Sequence, residues 1–388
     1  MVDFDVVIVG AGLVGASLAA SLRGSGLRVA VVEPAAPRRI ESDAWDSRIY
    51  AISPGSVAFL EASGAWQRLD ATRVAPVLDM HVWGDDGASR LDFSSLDAGR
   101  TALASIVEGS RLQAALWQTL AADEEIALRC PASCASITWL DDRAEIALQD
   151  GERLRTRLVV GADGAQSWVR EQARIVAATH AYGQLGVVAN FDCARPHGGV
   201  ARQWFRSDGV LALLPMPGNR VSMVWSTWDA PGRTLVALAG EALCAQVQEA
   251  SHDAVGELSL ITPAAAFPLR RIKVERLIAP RVALIGDAAH VVHPLAGQGV
   301  NLGFRDAREL AAVLRGRAPA SDCGALPLLR RFERARSEDI LSMMLTTDAL
   351  QKLFNTDLPA LAAVRNWGLR LTGRLGPVRT LLTQHAVG

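Results

Sequence analysis

The sequence predicts an α/β protein with two domains, one of which interrupts the other along the chain. Three observations lead to this prediction. Near both ends of the 388 residues, buried β-branched runs are followed by helix-like segments. Between them, residues 183–228 form short runs of alternating apolar and polar residues around turns, which is typical of an antiparallel sheet. Beyond residue 326 the pattern is helical, so helices are expected near the end of the chain.

Composition and charge exclude several classes of protein. Hydrophobic residues make up 50% and charged residues 21%, so the chain can bury a large core and is not disordered. The 40 basic and 41 acidic side chains give a net charge of −1, which argues against a nucleic-acid partner. Five cysteines without a Cys-x-x-Cys pair argue against a disulfide framework or a zinc site and indicate a reducing compartment.

One stretch near the start could be mistaken for a membrane span. Residues 6–22 carry no charge over 17 residues. Acidic Asp3 and Asp5 precede them, where a secretory signal carries positive charge, and three glycines interrupt them in a fixed pattern. We interpret the stretch as a strand, a tight turn and a helix, and we expect a cytoplasmic protein that is either soluble or peripheral at the membrane.

The opening of the chain predicts a strand–helix–strand unit that binds a dinucleotide. Gly10 allows the tight turn, Gly12 lets a pyrophosphate approach the backbone, and Gly15 lets helix and strand pack closely. The phosphates would lie on the helix N-terminus. Glu33 ends the next strand, where a carboxylate can bind ribose hydroxyls. These features alone do not separate FAD from NAD.

The remaining elements follow from periodicity and turn residues. We expect helices over residues 54–69, with Ser53 as N-cap, and over 111–122, 299–314 and 326 to about 353. Strands are expected between residues 126 and 160, with turns at 141–142 and 150–151, and at residues 282–285. Parts of one domain therefore lie both before and after the antiparallel stretch.

Three later motifs indicate the chemistry. Gly161-Ala162-Asp163-Gly164 follows a strand, and Gly286-Asp287 ends another. A third run, from His293 to Asp306, has the pattern His-Pro-Leu-Ala-Gly-Gln-Gly-x-Asn-x-Gly-x-x-Asp and leads into a helix. With these motifs the sequence resembles the class A flavoprotein aromatic hydroxylases, and within them the UbiH-type monooxygenases of ubiquinone biosynthesis.

The resemblance spans nearly the whole chain and implies both fold and function. It implies a Rossmann-like FAD-binding domain of the aromatic hydroxylase type, with an inserted antiparallel-sheet substrate domain and C-terminal helices. It also implies a monooxygenase in which NADPH or NADH reduces FAD and O₂ gives a flavin hydroperoxide. That species would hydroxylate the ring of a polyprenylated phenol or quinol in ubiquinone biosynthesis.

The domain boundaries and the cofactor residues follow from the same motifs. We assign residues 1–75, 100–180 and 270–330 to the FAD-binding domain, 76–99 and 181–269 to the substrate domain, and 331–388 to a C-terminal helical region. The candidate cofactor-binding residues are Gly10, Gly12, Gly15, Glu33, Arg48, Arg111, Asp163, Gly286, Asp287, Pro294, Gly299, Val300 and Asn301.

A flavin loop supplies the candidate catalytic residues, Gly297, Gln298 and Gly299. Its backbone amides and the N-terminus of the following helix could face the pyrimidine edge of the flavin, where reduction places negative charge. Gln298 could contribute a side-chain donor or could only space the loop. No acid or base residue is assigned.

Several cofactor candidates also have a structural interpretation. Arg48 and Arg111 could bind the cofactor phosphates, or could form salt bridges at the surface or between domains. Asp287 could accept a ribityl hydroxyl or cap a turn. Asp163 lies in a motif that contacts FAD and the nicotinamide donor in the resembled family, but it could equally bond turn amides.

The middle of the chain contains apolar residues that could form one side of a substrate pocket over the flavin. Leu213, Met223 and Trp225 belong to alternating strands and are candidate substrate-pocket residues for a prenylated ring, with ordinary sheet core as the alternative. His290 and His293 lie three residues apart, but a proline follows directly and no third ligand is near in sequence. No metal is therefore expected.

The last part of the chain could dock to another surface. Residues 358–388 carry four arginines and no acid. Such a basic, amphipathic tail could lie on an anionic membrane, bind a subunit of a ubiquinone-biosynthesis complex or a second copy of the chain, or pack on its own domain.

Two rival functions stay open at this point. One is another flavoenzyme on the same fold, either a hydroxylase of a soluble aromatic or a prenyl reductase. The other is a non-catalytic assembly subunit that retains FAD for stability. The sequence does not indicate which ring position is hydroxylated or how long the prenyl tail is.

Overall fold

The computed structural model describes residues 2–38, 40, 43–85, 89–293 and 298–354, and the side-chain surroundings up to residue 348. The α-helices are α1 (Leu13–Ser21), α2 (Pro54–Ala62), α3 (Gly109–Ala121), α4 (Trp168–Gln172), α5 (Asp229–Ala237), α6 (Gly240–Ala250), α7 (Gly299–Arg315) and α8 (Leu326–Phe354). Short 3₁₀ turns lie at Trp66–Arg68, Ala71–Arg73 and Gly286–Ala288.

Twenty strands form three sheets within these ranges. They are β1 (Phe4–Val9), β2 (Val29–Val32), β3 (Ile49–Ile52), β4 (Ala75–Val77), β5 (Asp79–Trp83), β6 (Arg90–Ser94), β7 (Ala104–Glu108), β8 (Ile126–Arg129), β9 (Cys134–Trp139), β10 (Ala144–Leu148), β11 (Arg153–Gly161), β12 (Ala177–Cys193), β13 (Val200–Arg206), β14 (Gly209–Met216), β15 (Arg220–Trp228), β16 (Leu258–Leu260), β17 (Ala265–Val274), β18 (Ile278–Ala279), β19 (Val282–Leu284) and β20 (His290–Val291).

The first sheet has a parallel centre in the order β19-β11-β1-β2-β8. β18 adds an antiparallel edge, and the β9–β10 hairpin pairs with the beginning of β11. The central strands are buried and apolar. Helix α1 packs on β1 and β2, α3 on β8, α8 on β18, and α7 packs on α1 and α8. The parallel centre confirms the predicted α/β class.

Strand register brings three strand ends to one edge of the first sheet. Val9 at the end of β1 pairs with Gly161 at the end of β11, and Gly161 pairs with Leu284 at the end of β19. In open parallel sheets, ligands bind outside the carboxyl ends of the strands. Segments far apart in sequence therefore meet at the edge where a nucleotide is expected.

The second sheet is mainly antiparallel and has the order β20-β17-β12-β15-β14-β13-β5-β6, with β16 beside β12. A third, small sheet in the order β3-β7-β4 lies between the two large ones. Leu214 and Met216 of the second sheet pack with Ile106 and Val77 of the third. The second sheet therefore packs on the small sheet, and it also reaches the end of β19 through β20, which pairs with β17.

The elements agree with most sequence predictions and depart from some. Ser53 caps α2 by accepting from Ser56 N, as predicted, but α2 ends at Ala62 instead of residue 69. Gly64 has a φ of +77°, which interrupts the helix before the 3₁₀ turn that follows. Helices α5 and α6 were not predicted.

The predicted domain boundaries stay a prediction, since sheet membership alone does not define a folding unit. Within the described ranges, no helix combines the length and the apolar character that a membrane crossing requires. The basic tail from residue 358 to residue 388 lies outside the described residues.

Candidate functional site

The glycine turn after β1 has the close packing that its sequence predicts. Gly10 has a φ of +101°, and a Cβ atom there would lie 2.5 Å from the carbonyl oxygen of Ala162. A Cβ atom on Gly15 would lie 2.0 Å from the carbonyl oxygen of Gly10. Both positions therefore require glycine, because backbone atoms fill the space of a side chain.

Gly12 differs from its two neighbours because the space beside it is open. It is the N-cap residue of α1 and is exposed, and no atom of the described residues lies within 4 Å of the position a Cβ would take. Among the same residues, no side chain caps the first amides of α1. An uncapped helix start beside open space fits an anion such as a pyrophosphate.

The backbone of Ala11, inside the same turn, forms hydrogen bonds with two side chains. Its amide donates to Oε2 of Glu33 at 2.7 Å, and its carbonyl oxygen accepts from Nε2 of Gln113 at 2.6 Å. Glu33 follows the end of β2, as predicted, and its side chain also reaches the glycine turn, while its Oε1 accepts weakly from Ala35 N. Its contact with a ribose stays a prediction. Gln113 was not nominated from sequence, although it belongs to the α3 segment that carries Arg111.

The turn at Asp287 lies at the end of β19, on the same edge as the glycine turn. Gly286 adopts a φ of +59°, and buried Arg170 donates to the carbonyl oxygen of Ala288 at 2.9 Å. The Asp287 side chain is exposed to solvent at the edge, although many protein atoms lie around its carboxyl group. That burial raises the pKa of the carboxyl, while His290 and Arg48 oppose the rise.

Tyr50 lies beside Asp287 and was not nominated as a cofactor residue. Burial raises the pKa of its phenol, Arg48 counteracts the rise, and Asp287 adds to it. Arg48 itself is exposed. A phenol, a guanidinium and a carboxylate are thus near enough to influence one another's ionisation, and each can bind a hydroxyl or phosphate group of a nucleotide.

Asp306 connects the Asp287 turn to helix α7. Its Oδ2 accepts from Gly286 N at 2.9 Å and from Nε2 of His290 at 2.6 Å, and its Oδ1 accepts from Nε of Arg336 at 2.8 Å. Burial would raise the pKa of Asp306, but the charges and hydrogen bonds of His290 and Arg336 outweigh it and lower the pKa. Asp306 is therefore a fully buried carboxylate with three donors.

The N-terminus of α7 is tied to the small sheet by Asn301. Its Oδ1 accepts from Ser53 N at 2.9 Å, and its Nδ2 donates to Ala51 O at 2.8 Å. Gln298, the N-cap residue, is buried and accepts from Nη2 of Arg305 at 3.3 Å. No atom of the described part of the chain lies within 4 Å of the position a Cβ would take on Gly299, and Val300 is half-buried.

Two predicted cofactor residues make contacts that favour their structural interpretation. Asp163 accepts from the Ser167 hydroxyl at 2.5 Å and from Val169 N at 3.0 Å, at the start of α4. Arg111 donates Nε to Glu108 at 2.9 Å. Contact of either residue with a cofactor stays a prediction. Pro294 and Gly297 lie outside the described residues.

His293, just before the flavin loop, is a buried neutral histidine. Its Nε2 lies 3.2 Å from Oε1 of Gln184 on β12, and its ring packs edge-on against Tyr182. Its Nδ1 is buried without a hydrogen-bond partner in the described structure. Burial lowers the pKa of His293 from 6.5 to about 4. His290 contacts Asp306 instead, so the two histidines have different partners.

The three predicted substrate residues lie in the sheet core. Leu213, Met223 and Trp225 are at most 2% exposed and pack with Leu243 and Val247 of α6. This placement corrects the prediction of an apolar wall over the flavin and matches the core alternative. The alternating pattern showed that one face of the sheet is covered, and the cover is α5 and α6.

The opposite face of the same strands points toward the cofactor edge. Gln184 and Asn190 share that face of β12 because they are six residues apart. Gln184 contacts His293, and Asn190 Nδ2 donates to the carbonyl oxygen of Asp46 at 2.8 Å. The two contacts are about 20 Å apart along the strand. Between them the second sheet and the cofactor edge face each other.

This inward face has accessible apolar side chains. Val224 of β15 and Ala212 and Leu214 of β14 are half-buried, whereas their neighbours on the other face are fully buried. Phe267 of β17 pairs with Gly186 and is 38% exposed. An apolar ring could therefore lie between this face and the flavin loop.

The residues at the edge fit FAD. The uncapped start of α1 suits the pyrophosphate, Glu33 after β2 has a carboxylate that can accept from a ribose hydroxyl, and Asp287 follows β19 on the same edge. The separation of Glu33 and Asp287 on different strands matches a cofactor with a nucleotide at one end and a ribityl chain at the other. The fold and this edge define a FAD-binding flavoprotein.

Comparison with known proteins narrows this class. The family model described as "FAD binding domain" matches residues 3–325. The 3-demethoxyubiquinol 3-hydroxylase of Escherichia coli (strain K12) is 36% identical over 99% of this chain and 98% of its own length. Ubiquinone hydroxylase UbiL of Rhodospirillum rubrum is 35% identical over 99% of this chain and 89% of its own length.

A solved structure shows the same architecture. PqsL, a probable FAD-dependent monooxygenase from Pseudomonas aeruginosa, has a TM-score of 0.75 and 25% identity, and the match covers 94% of this chain and 99% of PqsL. The chain therefore belongs to the FAD-binding-domain family of class A flavoprotein hydroxylases, together with the ubiquinone-biosynthesis hydroxylases. It is an FAD-dependent oxidoreductase of the monooxygenase type.

The glycine turn gives a test with a built-in control. Gly15→Ala places a methyl group against the carbonyl oxygen of Gly10, so we expect the free energy of unfolding of the FAD-free protein to fall by roughly 1–3 kcal/mol. Gly12→Ala meets no atom and should leave that free energy unchanged or up to about 1 kcal/mol higher.

The same pair separates packing from cofactor binding. Gly12→Ala should weaken FAD binding, because its methyl group enters the space where the pyrophosphate approaches. Urea unfolding and FAD titration measure the two effects. Undiminished FAD affinity in Gly12→Ala would remove this turn from the phosphate site.

Burial of His293 predicts a pH dependence of stability. The unfolded chain binds a proton at His293 near pH 6.5, whereas the folded chain does so only near pH 4. The unfolded state therefore takes up more protons between these values, and acidification across this window should cost about 3 kcal/mol of stability. His293→Gln, whose amide can still donate to Gln184, should remove that part of the pH slope.

Unfolding curves at several pH values measure the slope. His180→Gln, which removes an exposed imidazole from the same region, is the control. An equal loss of slope in both variants would contradict the assignment to His293.

Proposed function

We propose that this enzyme hydroxylates the aromatic ring of a polyprenylated phenol or quinol in ubiquinone biosynthesis, with a nicotinamide donor as reductant. The accessible apolar face of the second sheet, opposite the cofactor edge, is the observation that carries this proposal. Val224, Leu214 and Phe267 give that face accessible apolar surface. Similarity to ubiquinone hydroxylases over nearly the full length supports the substrate class.

The residues of the chain would bind and orient the cofactor. The α1 N-terminus would hold the pyrophosphate, Glu33 a ribose, and Asp287 the ribityl chain, with Arg48 and Tyr50 beside it. Bound FAD, reduced by the nicotinamide donor, would supply the activation of O₂, one atom of which enters the ring. The amides at the start of α7, from Gln298 to Val300, would face the pyrimidine edge and stabilise negative charge there.

The second sheet would hold the ring and keep water away. The contacts of Gln184 with His293 and of Asn190 with Asp46 set the spacing between the sheet and the cofactor edge. Apolar side chains between these contacts exclude water without competing for hydrogen bonds. Phe267, at the more exposed end of the face, would lie where a prenyl tail leaves the cleft.

The route of the apolar substrate is part of the proposal. Its prenyl tail partitions into membranes, so the enzyme has to collect it at a lipid surface or from a partner. We assign this role to the basic segment from residue 358 to residue 388, which lies outside the described residues. The five cysteines are free thiols, which suits the reducing compartment expected for such an enzyme.

Incubation with ¹⁸O₂ tests the reaction. Purified enzyme, NADPH or NADH and a short-chain prenylated phenol should give a product that is heavier by one ¹⁸O atom per turnover. Donor oxidation with a product that lacks ¹⁸O would indicate a reductase. An FAD-loaded protein that neither oxidises the donor nor changes the phenol would indicate an assembly subunit, and hydroxylation of only soluble phenols would exclude the prenylated class.

The two faces of β15 give a second test. Met223→Ala removes core packing against α6 and should lower the free energy of unfolding by about 2–5 kcal/mol, with the KM for the phenol unchanged. Val224→Ala, one residue along on the inward face, should cost less stability and should raise KM severalfold or increase donor oxidation without product. A KM change in Met223→Ala alone would place the substrate on the opposite face.

A further inference from the structure

Arg305 belongs to a network of charged side chains that runs from Asp306 through Arg336 and Asp339 to Arg305. Its Nη1 donates to the two oxygens of Asp339 at 3.0 and 3.2 Å, and its Nη2 donates to Oε1 of Gln298 at 3.3 Å. Asp339 also accepts from Arg336, which donates in turn to Asp306. Two acids and two arginines therefore alternate between α8 and the N-cap of α7.

The two members of the terminal pair are buried to different extents. The side chain of Arg305 is 10% exposed, whereas that of Asp339 is 32% exposed. Burial would raise the pKa of Asp339, but Arg336 and Arg305 outweigh it and lower the pKa, so the carboxyl is ionised at neutral pH. The positive member is thus the one shielded from solvent, and it is also the one that contacts Gln298.

We propose that Arg305 and Asp339 are positioning residues that tune the reduction potential of the flavin in opposite directions. This inference rests on the proposed function, in which the start of α7 faces the flavin edge that gains negative charge on reduction. Arg305 fixes the side chain of Gln298 and adds positive charge behind that helix start. Asp339 neutralises part of this charge from α8.

The two substitutions should shift the flavin potential in opposite directions, because they change the net charge of the network in opposite directions. When Arg305 is replaced by a neutral residue, Asp339 keeps Arg336 as partner, and the network loses one positive charge. When Asp339 is replaced by Asn, Asp306 is the one carboxylate left in the network, and it contacts Arg336. The net charge of the network then rises by one. A buried charge acts over several ångströms because protein screens it less than water does.

The test measures the two-electron potential of the FAD-loaded, full-length enzyme by equilibration with a reference dye. Arg305→Gln should lower the potential and Asp339→Asn should raise it, whereas Arg305→Lys, which keeps the charge, should stay close to the wild-type value. Arg308→Gln is the matched control, because it removes the same charge from an exposed position on α7 and should leave the potential unchanged.

Shifts of the same sign in Arg305→Gln and Asp339→Asn, or wild-type potentials in both, would overturn the inference. If Arg305→Gln does not fold, the other two variants decide. A raised potential in Asp339→Asn together with a wild-type potential in Arg305→Lys supports the inference. Any other pair of potentials overturns the inference. FAD content is measured first. A wild-type protein that retains no FAD refutes the proposed function itself, whereas bound FAD with uniform potentials refutes only the tuning.

Discussion

The candidate site depends on one buried carboxylate, that of Asp306. An isolated ionised carboxylate is costly to bury, so this group is stable only while its three donors remain in place. Those donors are Gly286 N, His290 and Arg336, and they come from the turn after β19, from β20 and from α8. Asp306 thereby links the Asp287 turn, helix α7 and helix α8 into one unit.

The second sheet is joined to the rest of the site by the pairing of β17 with β20, by apolar packing against the small sheet, and by two polar contacts. Gln184 meets His293 beside the flavin loop, and Asn190 meets the carbonyl oxygen of Asp46 near Arg48 and Tyr50. Between these contacts, apolar side chains remain accessible on the inward face. A cofactor edge faced by accessible apolar side chains suits ring hydroxylation, because the ring has to be oriented and water has to be excluded.

Local patterns explain what the sequence could predict. The glycine turn, Glu33, the strand end at Asp287 and the start of α7 were located correctly, since each is a short motif bounded by strand or helix signals. The contacts of Asp163 and Arg111 could not be assigned in this way. Their partners, Ser167 and Glu108, lie close in sequence, but the choice between a structural and a cofactor contact depends on the tertiary arrangement.

The prediction of the substrate face was wrong for a physical reason. An alternating pattern identifies two faces of a strand, but it does not show which face meets a cofactor and which meets helices. Met223 was assigned to the pocket because it is apolar, and the helix that covers it, α6, was not predicted. The links from Arg305 to Asp339 and from Asp306 to Arg336 span 34 and 30 residues, which places them beyond any local pattern.

Hydrogen–deuterium exchange on Asp306→Asn tests the central claim most directly. The amide keeps the shape of the carboxylate but removes the charge that holds His290 and Arg336. If Asp306 links the two cofactor-facing segments, amides of residues 286–291 and of residues 298–302 should lose protection together, while those of residues 10–16 exchange as in the wild type. Unchanged protection in both segments, or loss in one of them alone, would contradict the account.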